Sequence, residues 1–276
     1  MKSTILLFIS FLSLYSCSTK TLNFVIKTKP ESTYHKNLNI KISSTIRLAD
    51  NDKLEDQNIQ KPVELIIKKS SSKTIETAKN KHGDIPATIS YSDIKTSTKL
   101  NGIKTDDKVE KRRKKMFGKY INGINLEIDS IQGDNSSKAD LLLANTIIDS
   151  IEQRMKFPQK KIKIGDSFKH NIPLVIPLFG KQTIYMRINR TYTLKEVNKN
   201  IALFNVKQDI ELDKNIDQKN IYAKGIGNGT ITYNKKEKYL TKYTYRNNIG
   251  ISITGKDSKK ININYKSVEN SIINID

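Results

Sequence analysis

Residues 184–212 read IYMRINRTYTLKEVNKNIALFNVKQDIEL, and the alternation in this stretch decides the fold. Ile184, Met186, Ile188, Tyr192 and Leu194 fall on one side of an extended chain, with polar residues between most of them. Asn198-Lys199-Asn200 interrupts the run, and Ala202, Phe204, Val206, Ile210 and Leu212 then repeat the pattern in return. A period of two marks strands with one buried and one wet face, and Asn accepts the positive φ that a tight turn demands. The stretch is therefore a β-hairpin. The same grammar extends to the C-terminus through 221–233, a turn at 234–238, and a strand carrying Tyr239, Tyr243, Tyr245, Ile249, Ile251 and Ile253. A turn at 255–259 and a closing strand with Ile261, Ile263 and Tyr265 follow. With a strand opening at 163–168, this makes a meander of about six strands joined by short turns.

The N-terminal half is built similarly. Leu22, Phe24 and Ile26 predict a short strand; Leu38, Ile40, Ile42, Ile46 and Leu48 predict a long one. Val63, Leu65 and Ile67 make another, as do Ile85, Ala87, Ile89 and Tyr91, while 50–60 and 68–81 read as polar loops. A strand pair across 118–133 is predicted to set Ile124, Leu126 and Ile128 on one face. One amphipathic helix is predicted at about 137–156. Ser137 and Asp140 resemble a capping box, Leu141, Ala144, Ile148, Ile151 and Met155 follow at helical steps, and Phe157-Pro158 ends it. The expectation is an α+β fold, mostly antiparallel β, with a twisted or curved, half-barrel-like sheet and that helix packed across it. The chain divides into 1–16, a leader; 17–21, a tether; 22–157, a β-rich half ending in the helix; and 158–276, the meander.

The 276 residues carry a formal charge of +21, no Trp and a single Cys. Lys abounds together with Ile and Asn, and the densest basic run is 108–119, containing Lys111, Arg112, Arg113, Lys114 and Lys115. That run reads either as a solvated face or as an anion-binding patch facing phosphates or an acidic surface. Lys2 and the apolar run 5–14 form a secretory leader too short to span a bilayer as a helix. Leu14-Tyr15-Ser16-Cys17 resembles a bacterial lipobox, with Tyr15 bulkier than its second position usually holds. The resemblance implies cleavage between Ser16 and Cys17 and a diacylglyceryl group on the Cys17 thiol, whose stable anchoring needs more than one acyl chain. Cys17 has no second cysteine with which to form a disulfide. Ser18-Thr19-Lys20 lacks the acidic residues that resemble a surface-export signal in Bacteroidetes-type lipoproteins, which implies an outer-membrane protein facing the periplasm. Behind such a leader, nucleic acid is not an expected partner.

A second resemblance rests on a series of short motifs. These are the helix, Phe157-Pro158, Lys163-Ile164-Gly165-Asp166-Ser167-Phe168, Tyr192-Thr193-Leu194 with Ile201-Ala202, and Gly225-x-Gly227-x-Gly229-x-Ile231-x-Tyr233. Over roughly 116–254 the chain resembles an uncharacterised domain family of Bacteroidetes-type envelope lipoproteins; Phe168 stands where that family often has Trp. Since the family has no established activity, the resemblance implies location and fold, not chemistry.

Catalytic signatures are not apparent. Gly225-x-Gly227-x-Gly229 lacks the spacing and the following helix of a dinucleotide site, and instead marks a bend or a close approach. His35, His82 and His170 are isolated from one another and show no metal-ligand spacing, and no Gly-x-Ser-x-Gly elbow occurs. Asp129-Ser130-Ile131 and Asp149-Ser150-Ile151 resemble O-glycosylation acceptors. The expectation is a non-enzymatic protein without metal or cofactor, anchored to the membrane through Cys17 and binding or scaffolding in the cell envelope. A lipid or hydrophobic ligand enclosed by the curved sheet leads, in an apolar cavity lined by alternating strand residues. A polyanion or protein partner on the basic 108–119 segment is the alternative.

Overall fold

The computed structural model describes residues 21–49, 62–110, 115–132, 157–177, 183–214, 216, 218–255 and 260–276. The strands are β1 (Thr33–Ala49), β2 (Val63–Thr77), β3 (Ile85–Tyr91), β4 (Ile94–Leu100), β5 (Ile103–Glu110), β6 (Lys115–Ile121) and β7 (Asn125–Ile131). They continue with β8 (Ser167–Pro177), β9 (Thr183–Val197), β10 (Ile201–Leu212), β11 (Ile221–Asn234), β12 (Tyr239–Thr254) and β13 (Lys260–Ile275). All thirteen belong to one antiparallel sheet with the order β7-β6-β3-β2-β1-β13-β12-β11-β10-β9-β8. The described residues are thus all-β, and contain no helix; the helix expected at 137–156 lies outside them.

The meander β8 to β13 is the arrangement read from the sequence, and β13 pairs with β1 from Tyr34↔Ile275 to Ala49↔Lys260, which joins the two halves of the chain. On the other side of β1 the sheet forks. The first part of β2 pairs with β4 over Leu65–Ser70, and its last part pairs with β3 over Lys73–Thr77. The β4–β5 hairpin therefore forms a separate branch beside β3-β6-β7, and every residue of β5 is exposed.

Three sequence expectations are corrected. Residues 68–77 are strand, not loop: β2 runs through Ser70, Ser71 and Ser72 because each faces a partner on β1. Leu22 to Ile26 form an extended strap, with an isolated bridge Leu22↔Ile162 and no strand ladder among the described residues. Ile124 does not share a face with Leu126 and Ile128; it sits in the turn after Gly123 and is 53% exposed, while the other two are buried. Within the basic run, Lys108 is a strand residue of β5, and Lys115 and Lys119 are strand residues of β6. Tight turns come from paired residues with positive φ, Asn101-Gly102 between β4 and β5 and Asn122-Gly123 between β6 and β7. Asn-Gly is the pairing that such hairpins favour, since both central residues need the left-handed region.

One face of the sheet, here called inner, carries the buried side chains. In β10, Ala202, Phe204, Val206, Gln208 and Ile210 point in, and Asn205, Lys207 and Asp209 are exposed. Buried residues gather into three apolar clusters. One surrounds Tyr192, Phe204, Ile231 and Tyr245; a second holds Tyr34, Ile75, Ile89 and Tyr120; a third holds Ile184, Met186, Ile188 and Ile249. The strap closes over the first. Phe24 is 3% exposed, with ring centroids 5.3 Å from Phe157, 5.3 Å from Phe204 and 5.2 Å from Tyr233. The Tyr233 hydroxyl donates to the Val25 carbonyl at 2.7 Å, and burial pushes its phenol above the ordinary value. Thr28 N–H donates to the Gly123 carbonyl at 2.7 Å, so the same strap reaches the turn between β6 and β7.

Phe24→Ala removes a ring packed against three others, and is expected to cost about 3–5 kcal/mol. Urea unfolding followed by tyrosine fluorescence checks this; a loss under about 1 kcal/mol would mean that the strap is not part of the core.

Candidate functional site

Two features stand apart from ordinary core and ordinary surface. The first is a polar row crossing the inner face between the first and third apolar clusters. Pairing places His170, Arg190, Gln208, Gly227, Asn247 and Ser267 opposite one another on consecutive strands β8 to β13. Arg190 Nε donates to Gln208 Oε1 at 2.6 Å, Gln208 Nε2 donates to Asn247 Oδ1 at 2.7 Å, and Asn247 Nδ2 donates to Ser267 Oγ at 3.2 Å. Gln208 on β10 and Asn247 on β12 are separated by β11, and they meet because the residue between them is Gly227. A Cβ there would lie 2.3 Å from Asn247 Oδ1 and 2.8 Å from Gln208 Nε2. This gives the middle glycine of the Gly225-x-Gly227-x-Gly229 motif its role: it leaves the gap that one hydrogen bond crosses.

Arg190 is 7% exposed, its guanidinium lies 4.3 Å from the Tyr245 ring centroid, and its Nη1 has no hydrogen-bond partner. The ring face and the Gln208 oxygen offset the cost of burying the charge, which is several kcal/mol for an ion left without compensation. Near the row, Tyr265 is partly buried, which pushes its phenol above the ordinary range against the opposing hydrogen bond with Ser267.

The second feature is on the outer face. Where the sheet forks, a groove of about 490 Å³ is lined on its outer-face positions by Lys41, Lys68 and Lys95, together with Asn39, Ser70, Ser97, Val109, Val268 and Asn270; Lys69 and Lys108 border it from inner-face positions, paired with Ile40 and Thr96. Asp107 is the one carboxylate among its lining residues, and it is already held by Lys104, whose hydrogen bond, with that of Ser97, keeps the carboxyl below its ordinary range. A second groove of about 360 Å³ lies farther along β1 and β13. Its lining includes Arg47, Tyr222, Lys224, Ser252, Asn262 and Asn264, with Gly250 among them. Apolar groups also line both grooves, Ile40, Val109 and Val268 in the first and Ile251 and Ile263 in the second, beside the lysine, arginine and amide groups.

Of the sequence-predicted sites, Ser16, Cys17 and Lys111, Arg112, Arg113 and Lys114 lie outside the described residues. Lys115 opens β6 and is exposed. The histidines are apart: His35 on β1 lies beside Thr74 and the Asp276 carboxylate, His82 sits in a turn, and His170 is on β8. Among the described residues no three His, Cys, Asp or Glu side chains are grouped to hold a metal ion. Both outer grooves were missed from sequence. The alternation of Lys41, Lys68 and Lys95 toward the wet face was available, but their convergence depends on the pairing of β2 with β4.

Residues 139–267 match a family of unknown function, DUF6263. The match runs from before β8 into β13, and so contains the whole inner polar row. No curated protein sequence matches this chain. Among solved structures, a lipovitellin chain, from a study of its lipid–protein interactions, aligns at 12% identity and a TM-score of 0.47, over 91% of this chain and 26% of its own. The present chain therefore spans about a quarter of lipovitellin's length. An engineered protein studied for asymmetric conductivity aligns at 7% identity and a TM-score of 0.22, over 88% of this chain and 100% of its own. A mutant of the Rh. blastica porin aligns at 10% identity and a TM-score of 0.22, over 85% and 99%.

The glycines make the inner row testable. Gly227→Ala forces Gln208 and Asn247 apart and leaves buried amide groups unpaired, a loss of about 1–3 kcal/mol before any strain is added. Gly250→Ala, whose Cβ would meet nothing closer than the Lys224 carbonyl at 3.9 Å, is expected to change stability by no more than about 0.5 kcal/mol. Equal effects of the two substitutions in denaturant melts would refute the assigned role of Gly227.

Proposed function

We propose that this is a lipid-anchored, non-catalytic binding protein of the bacterial cell envelope, held through Cys17 in the outer membrane and facing the periplasm, which binds polyanions on its outer face. The observation that carries the binding reading is the groove at the fork: Lys41, Lys68 and Lys95 share its outer-face register, and its one carboxylate is already occupied by Lys104 and Ser97. Lysines held close together around a concave surface raise the local positive potential and favour anions that can touch several of them at once.

A second reading, a hydrophobic or lipid ligand on the inner face, is favoured by Arg190. Its Nη1 sits without a partner between two apolar clusters, an arrangement suited to the anionic head of an amphiphile. Residues beside it, such as Tyr192, Leu194 and Phe204, are 0% exposed and so already filled around by protein, which places this reading second. Native mass spectrometry of the protein extracted from its own membrane tests it: a bound acyl species lost in Arg190→Gln would raise it to first place, and bare protein would remove it.

Anchoring and binding have separate tests. Cys17→Ser is expected to abolish incorporation of labelled palmitate and to move the protein from the membrane to the soluble fraction. A Cys17→Ser protein that stays membrane-bound would end the anchoring proposal. Lys68→Glu with Lys95→Glu is expected to elute from heparin at clearly lower salt than the parent chain, as a screened ionic contact should. Unchanged elution would remove the fork groove from the proposal.

A further inference from the structure

The outer face of the four central strands has a charge pattern that local composition does not reveal. β1, β13, β12 and β11 contain a single acidic residue, Glu269. Its register partners are Ile40 and Tyr245, which places it on the inner face, where it accepts a hydrogen bond from the Tyr243 hydroxyl at 2.9 Å. The outer positions of these strands therefore hold no carboxylate at all. They carry Lys41, Arg47, Lys224, Lys242, Arg246, Lys260 and Lys266, set among Asn, Ser and Thr and the exposed Ile226 and Ile272. Cross-strand hydrogen bonds order some of these polar groups, Ser252 Oγ donating to Asn262 Oδ1 at 3.0 Å and Thr244 Oγ1 to Asn270 Oδ1 at 2.9 Å.

The two grooves lie along one line on this plane. The fork groove is lined on β1 by Asn39 and Lys41, and the second by Thr45 and Arg47. Between them Ser43 faces Lys266. From Lys41 to Arg47 the strand advances roughly 20 Å. Gly250 opposes Lys224 on one side and Asn264 on the other, and so leaves the second groove without a side chain in its floor. Tyr222, 65% exposed, stands at its wall.

We propose that a linear acidic glycan lies along β1 and β13 and occupies both grooves, with Lys266 between them. This rests on the polyanion reading, because one end of the chain sits in the fork groove. The ligand class follows from the wall chemistry. Arg47 and Lys224 meet carboxylates or sulfates, and the amides of Asn262 and Asn264 suit hydroxyls as donor and acceptor. The ring of Tyr222 offers an apolar body with a polar tip to the face of a sugar. A bilayer presents its headgroups as a plane and does not enter a channel floored by Gly250, whereas a single extended chain does.

Binding of the full-length protein, in detergent, to heparin polymer and to heparin disaccharide tests this by calorimetry. Occupying two linked sites instead of one is expected to make the polymer bind at least about 10-fold tighter than the disaccharide, at equal ionic strength. Gly250→Leu blocks the second groove with the charge unchanged, and Arg47→Ser with Lys224→Ser removes its cations with the groove unchanged. Each is expected to bring the polymer down to disaccharide affinity while the disaccharide still binds the fork groove. Lys68→Glu with Lys95→Glu is expected to weaken both ligands. If neither second-groove variant lowers polymer affinity while the fork variant does, the two-groove track is overturned and the polyanion reading stands. If no variant changes either ligand, both fall. Anionic vesicles that bind with the same dependence on Gly250 would also overturn the glycan assignment, by showing a membrane surface to be the occupant.

Discussion

The ladder between β1 and β13 is the interaction on which the rest depends. It joins residues more than two hundred positions apart, from Tyr34↔Ile275 to Ala49↔Lys260. Without it there would be two separate sheets, each exposing a long edge of unpaired backbone groups, a standing invitation to edge-to-edge association. With it, the inner clusters cross the seam: Leu38 of β1 packs against the cluster of Tyr243 and Tyr245, and Ile273 of β13 packs with Tyr34 and Ile75. Pairing of this kind closes a long loop before it gains any contact, so the seam belongs among the slow and late steps of folding.

The pleat assigns the two faces different tasks, and the ladder carries both across the seam. Inside, the polar row through Arg190, Gln208, Asn247 and Ser267 interrupts an otherwise apolar surface. A slip of one residue in any of these strands would turn its row member outward and break the chain of hydrogen bonds, so the row strengthens a register already set by the buried alternation. Outside, the same seam places Lys41, Lys266 and Arg47 in one line. The acidic residues of neighbouring β10, Asp209 and Glu211, also point outward, which limits the carboxylate-free plane on that side.

Much of this was legible in the chain and some was not, for reasons that differ by residue. Strict alternation at Ile184 to Leu194 and at Ala202 to Leu212 made the meander readable because each strand there has one fully buried face. β2 was read only to Ile67, since Ser70, Ser71 and Ser72 lack apolar alternation; they are in a strand because β1 pairs with them, a tertiary cause that local sequence does not carry. The hairpin β4–β5 was missed for the same reason, its β5 being wholly exposed, although Asn101-Gly102 was a sufficient turn signal. Chemical candidates fared similarly. The basic run drew attention by its density in sequence, whereas the grooves gather cations from β1, β2, β4 and β11 that only pairing brings together.

Glycine placement on β11 and β12 shows how a single sheet serves two faces at once. Gly227 points inward, and its missing side chain lets neighbours on either side bond directly beneath it. Gly250 on the adjacent strand points outward, and its missing side chain is left open to solvent. A Cβ at the first would strike two polar atoms; at the second it would find space, with only the Lys224 carbonyl 3.9 Å away. Packing therefore requires glycine at position 227, whereas nothing in the packing requires it at 250. The openness at Gly250 is not needed to build the sheet, and its location in a cationic groove makes access to the outer face the better account of it.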